Sequence, residues 1–135
     1  MNRQRGMSSL LLVLLVLALG SLILQGMSAQ QQSQLSQMTL EKTALQESAE
    51  ADTLLEWGRF YRWPQGPQVQ CQQPAGGTGR VCLRLFADDT VLLMATRGQQ
   101  HRWQTGTLSE GTYLFDPNGW SDFCPCKEAT QCQTP

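Results

Sequence analysis

Five cysteines and one histidine are the residues of this 135-residue chain whose types most readily do chemistry. The cysteines are Cys71, Cys82, Cys124, Cys126 and Cys132. Zinc ligation and disulfide formation compete for them. Structural zinc sites pair their thiolates across gaps of two to four residues. Cys124-Pro-Cys126 leaves a gap of one, and ten residues separate Cys71 from Cys82. The spacing argues against zinc, and no metal is expected. In an oxidising compartment the default is disulfides. Cys71 and Cys82 bracket the flexible PAGGTG stretch, a loop able to close on itself. Cys132 is close enough to Cys124 or to Cys126 to close a small terminal loop. Each bridge would contribute about 3 kcal/mol by restricting the unfolded chain. Five is odd, so at least one thiol is free, modified or paired with another chain.

The remaining chemical signals are weak. His101 has no second histidine and no Ser or Cys partner in sequence, so it reads as a strand residue and not a catalytic one. Asp116, Asn118 and Asp122 do not have EF-hand spacing, and DPNG reads as a turn. Trp57, Trp63, Trp103 and Trp120 are expected to fill a small core. No phosphate-binding glycine loop, nucleotide fingerprint or carboxylate pair stands out, so no enzyme and no cofactor are expected. The formal charge of −1 argues against a general nucleic-acid binder, which needs a basic surface.

The element that dominates the chain lies at the N-terminus. Leu10 to Leu24 carries no charge and only Gly20 and Ser21 as breaks. Met7 to Met27 would be a helix of roughly 31 Å, which matches a hydrocarbon core of about 30 Å. Its nine Leu, two Val and one Ile favour insertion by roughly 6 kcal/mol at about 0.5 kcal/mol each. Arg3 and Arg5 precede it, so the positive-inside rule holds the N-terminus in the cytoplasm and sends residues 28–135 outward. From Ser28 to Trp57 there is neither Gly nor Pro, and Gln, Glu, Leu and Ala are abundant. The spacing therefore predicts one continuous helix to about Arg62, stopped by Trp63-Pro64. A secretory signal peptide does not share a helix with the mature fold, and MSA before Gln30 is a poor cleavage site. An uncleaved signal anchor fits the apolar run but not a glycine set between a basic leader and that run.

The segment RQRG followed by MSSLLLVLLVLALGSLIL resembles the leader and N-terminal helix of type IV pilin-like proteins. The stretch ALQESAEADTLLEWGRF resembles the helix of the PilX-like and K-type minor subunits. Over its full length, including GWSDFCP, the chain is similar to the YgdB family of prepilin-peptidase-dependent proteins. The resemblance implies cleavage after Gly6 by a prepilin peptidase and N-methylation of Met7. It also implies an inner-membrane subunit whose partners are the major pilin and other minor pilins. It favours Cys124 paired with Cys132, leaving Cys126 as the odd thiol. One departure matters. Major pilins usually carry Glu as the fifth mature residue, where it pairs with a neighbour's N-terminal amine. Here that position is Leu11, and no charge occurs from Met7 through Leu40. The resemblance thus points to a minor pilin at a filament start or tip. The alternatives are a type II secretion minor pseudopilin and an uncleaved membrane-anchored periplasmic binding module.

The exported part has patterns of its own. Leu40, Ala44, Ala51, Leu54, Gly58 and Tyr61 recur at helical spacing and are expected to pack on the globular domain. Glu47, Glu50, Asp52 and Glu56 read as a solvated acidic face, with a lesser expectation that they meet a partner subunit. After Pro64 the chain is rich in turns. VCLRLF and VLLMAT form a hairpin around Asp88 and Asp89, and HRWQTG and TYLFD are further short strands. The expectation is α+β: a long helix laid against three or four antiparallel strands, as the resemblance also implies. Leader 1–6, membrane helix 7–27, exported helix 28–62 and sheet domain 63–135 are the expected parts. A domain of about 70 residues has a marginal core, which makes disulfide staples expected.

Overall fold

The computed structural model describes residues 2–135. The chain divides into two compact units, residues 1–42 and 43–135. The elements are one helix, α1 (Asn2–Phe60), and five strands: β1 (Val69–Gln72), β2 (Arg80–Leu85), β3 (Thr90–Arg97), β4 (Gln100–Ser109) and β5 (Thr112–Ser121). A short 3-10 turn, Ala129–Cys132, comes after β5. The fold is α+β.

The helix runs unbroken through the stretch that lacks Gly and Pro. It ends at Phe60, slightly before the expected Arg62. Past Phe60 one more helix-type bond forms, and the Trp63 side chain takes the next carbonyl. Tyr61 N–H closes the last turn on the Trp57 carbonyl at 3.0 Å. Trp63, which precedes Pro64, is drawn back so that its indole Nε1 donates to the Gly58 carbonyl at 2.7 Å. Such a bond satisfies one of the carbonyls that every helix end leaves without an intrahelical donor.

The sheet is an antiparallel meander in the order β1-β2-β3-β4-β5. Tight connections set its register. The β2–β3 loop has Asp89 at φ 63, and the β4–β5 turn has Glu110 and Gly111 at φ 51 and 76. Two consecutive positive φ values match the right-handed twist of a hairpin, and glycine adopts them at little cost. The Asp88 carboxylate accepts bonds from the Thr90 N–H at 3.2 Å and the Thr90 hydroxyl at 2.6 Å, which fixes the β2–β3 hairpin. These bonds hold its pKa below the usual carboxylate range, the hydroxyl first.

Five strands form where three or four were expected. β1 comes from the stretch that reads as turns, and its pairing with β2 sets Cys71 directly opposite Cys82, to which it is bonded. DPNG is not a turn between strands. It lies inside β5 as a register shift: Gln104 faces Trp120 and Gly106 faces Phe115, so residues 116–119 stand opposite Thr105 alone. Gln104, 2% exposed, donates its side-chain amide to the Asp116 carbonyl, and the Thr105 hydroxyl donates to Asp116 Oδ2 at 3.1 Å. Turn-forming residues thus make a bulge and not a reversal.

Both faces of the sheet are covered. On the first, Val81, Leu83, Val91, Leu93 and Ala95 pack with Leu54, Leu55 and Trp63. Leu40 and Ala44, expected on the packing face, are exposed, and Leu55 is buried. On the second face, Cys82, Leu92 and Met94 pack with Cys132, flanked by Cys71, Phe86, Trp103, Cys124 and Cys126. The cover on this side is the C-terminal segment 122–135. Arg80 donates to the Pro135 carbonyl at 2.6 Å, Arg84 to the Gln133 carbonyl at 3.1 Å, and the Trp103 indole to the Cys132 carbonyl at 3.2 Å. Two covered faces explain why Val91 to Ala95 are all buried in a row, where a half-solvated strand would alternate.

Candidate functional site

Within residues 2–42 the candidate site is the junction at Gly6 and the apolar stretch after it. Gly6, Met7 and Leu11 all lie in α1. A Cβ added at Gly6 would meet no other atom within 4 Å. The large apolar side chains from Met7 to Met27 are between 53% and 69% exposed. An 18-residue window of this helix has a mean hydropathy of 2.7 and no burial. An apolar surface of this extent is not left facing water; it needs acyl chains or another apolar surface. Length and composition suffice for one membrane crossing.

Within residues 43–135 the acidic stretch of α1 is not simply solvated. Arg97 Nε pairs with Glu50, and Arg102 Nε donates to Asp52 Oδ1 at 2.7 Å. Arg102 also donates to Ser48 Oγ at 2.6 Å and to the His101 carbonyl at 2.8 Å. The Gln99 N–H points at Glu47 at 3.4 Å. Glu56 pairs along the helix with Arg59 at 2.7 Å. The bond from Arg97, aided by Gln46, holds the Glu50 carboxyl below its ordinary range. Three of the four acids therefore clamp helix to sheet, and the solvated-face expectation is corrected for them. Sequence reasoning missed Arg97 and Arg102. The available signal was two arginines flanking the β3–β4 hairpin, opposite a helix with surplus acid.

Cys71 is bonded to Cys82 and Cys124 to Cys132. Cys126 is the free cysteine among those described. The sulfurs of Cys124, Cys126 and Cys132 lie within 4.8 Å of one another. Burial pushes the Cys126 thiol up, opposed by the Arg84 guanidinium. His101 lies in β4, as expected, and stacks on Trp103 with ring centres 5.9 Å apart. Trp63 is buried and Trp57 and Trp103 are half-buried, but Trp120 is 50% exposed and does not fill the core. It sits beside the DPNG bulge on β5, an edge strand, paired with Gln104.

These features define a class: an α+β protein with one helix long and apolar enough to span a membrane, and a small antiparallel sheet braced by two disulfides. Residues 15–132 match the family described as Protein of unknown function (DUF2509), and the chain belongs to that family. No curated protein and no solved structure matches it.

Proposed function

We propose that this chain is a minor pilin of a type IV pilus or a related secretion filament, acting at filament initiation or at the tip. Residues 7–27 hold it in the inner membrane, with the leader cytoplasmic and residues 28–135 periplasmic, until assembly moves the helix into the filament. The observation that carries the reading is the exposed, uncharged stretch of α1 that follows directly on Arg3, Arg5 and Gly6. A helix that is stable in lipid and equally able to pack in a bundle of like helices suits a subunit that changes environment without refolding. The disulfide-braced sheet supports placement outside the cytoplasm. Leu11 supports a terminal position, because it offers no carboxylate to a neighbour's amine.

The test is the N-terminal residue of the protein purified from cells with an active prepilin peptidase. N-methylated Met7 is expected, and Gly6→Val should leave a product six residues heavier. An intact Met1 in the wild-type chain would overturn the reading and favour a membrane-anchored periplasmic module.

A further inference from the structure

The three sulfurs of the C-terminal segment form a nucleophile and a disulfide in one cluster. Cys132 is the fixed member. It is 8% exposed, its carbonyl accepts the Trp103 indole, and Arg84 and Arg80 hold the carbonyls of Gln133 and Pro135 just beyond it. Cys124 and Cys126 flank Pro125, both half-buried against the same Leu92 and Met94 surface. Each has its sulfur within 4.8 Å of the Cys132 sulfur. One of the two is bonded to Cys132 and the other is free. Cys126 is also reached from solvent, since it lines an open groove with Phe86, Asp88, Lys127 and Gln131.

We infer that Cys124, Cys126 and Cys132 are a thiol–disulfide exchange site in which Cys124 and Cys126 alternate as the partner of Cys132. The Cys126 thiol first loses its proton to solvent. Its thiolate attacks the Cys132 sulfur, the Cys126–Cys132 bond forms, and the Cys124–Cys132 bond breaks. Cys124 leaves as a thiolate and takes up a proton. One disulfide and one thiol stand on each side, so no oxidant or reductant is consumed. The covering segment stays anchored through Cys132 in both isomers, and the closed loop changes from one that begins at Cys124 to one that begins at Cys126. The exchange moves the free thiol from one side of Pro125 to the other. Thiolate is the attacking species, so the raised Cys126 titration makes the step slow near neutrality and faster in base.

The experiment uses the full chain, exported and solubilised in detergent. Samples are held at pH 7, 8 and 9, quenched in acid at intervals and alkylated. The position of the label is then read by fragment-ion mass spectrometry without reduction. The label is expected at Cys126 first and then increasingly at Cys124, with a rate that rises about tenfold per pH unit while the thiol is mostly protonated. Label confined to Cys126 at every pH and time would overturn the inference, as would a Cys126 disulfide to a second chain. A second variant removes dependence on rate. Cys124→Ser should contain a Cys126–Cys132 bond and no alkylatable thiol in the segment. Two free thiols in that variant, in oxidised protein that retains Cys71–Cys82, would overturn the inference.

Discussion

A methyl group added at Gly79 would fall on Leu54 Cδ1 and sit 2.9 Å from the Thr96 carbonyl oxygen. The Leu54 end can rotate away, but the carbonyl belongs to β3 backbone and cannot. Gly58 offers a contrast. There a Cβ would meet Val81 Cγ1 at 2.6 Å and Leu93 Cδ1 at 3.2 Å, which are side-chain atoms only. Alanine at Gly58 also gains about 1 kcal/mol of helix propensity, while overpacking a core costs roughly 1–3 kcal/mol. Gly79→Ala is therefore expected to destabilise by about 2–3 kcal/mol, and Gly58→Ala by about 1 kcal/mol. Denaturant unfolding of the solubilised chain, followed by tryptophan fluorescence, checks the order; equal losses would show that the Thr96 carbonyl yields. The distinction was invisible in sequence. PAGGTG reads as a flexible loop, and nothing in those six letters marks Gly79 as buried beneath α1 while Gly76 stays open.

At the scale of elements, legibility followed local signals. The helix was readable because Ser28–Trp57 has no Gly or Pro to break it and a Trp-Pro pair lies just beyond its end. The β2–β3 hairpin was readable because apolar runs flank Asp88-Asp89. β1 was hidden, because Val69–Gln72 is only four residues long, too short for its alternation to stand out among the Gln, Gly and Pro around it, and becomes a strand by pairing with β2 across Cys71–Cys82. The second covered face was also hidden, although the unbroken Val91–Ala95 run was its trace in the sequence. The acid–arginine clamp was missed for the same reason: long-range pairs leave no local mark. Its energetics can be tested. Arg102 has a side chain only 10% exposed, while Asp52 is 50% exposed. Removing the acid leaves a mostly buried cation with neutral partners only, whereas removing the arginine frees an acid that water can solvate. Asp52→Ala is expected to cost about 1–2 kcal/mol, after allowance for the exposure of the carboxylate. Arg102→Met, which keeps the stem's packing, should cost less, and the double variant should recover most of the Asp52→Ala loss. A double-mutant cycle by denaturant unfolding reads this directly. Additive losses would mean that Ser48 and the His101 carbonyl suffice to hold Arg102.

For the whole molecule, the proposed role makes a prediction that turns on a single missing charge. Residues 7–27 carry no ionisable side chain, so with the leader removed as proposed, the only charge at that end would be the new N-terminal ammonium. In a filament interior, as in a bilayer, an unpaired ammonium costs several kcal/mol even after relaxation and water entry. A subunit within a shaft must both place its own ammonium on a neighbour's carboxylate and offer a carboxylate to the next. In the proposed role, with cleavage after Gly6, Leu11 would be the fifth mature residue, and this chain would do the first and not the second. Such a subunit can terminate a stack but cannot propagate one. Overproduction of the chain alone, with an active prepilin peptidase, is therefore expected to give membrane-held protein and no homopolymer. In cells that assemble filaments it is expected at low copy number, confined to one end. Deletion together with partner minor pilins should lower the number of filaments far more than their length, because nucleation is lost while elongation is not. Immunogold labelling checks the position: signal at one end supports the role, and regular labelling along the shaft would show that a neighbour's ammonium is tolerated beside Leu11.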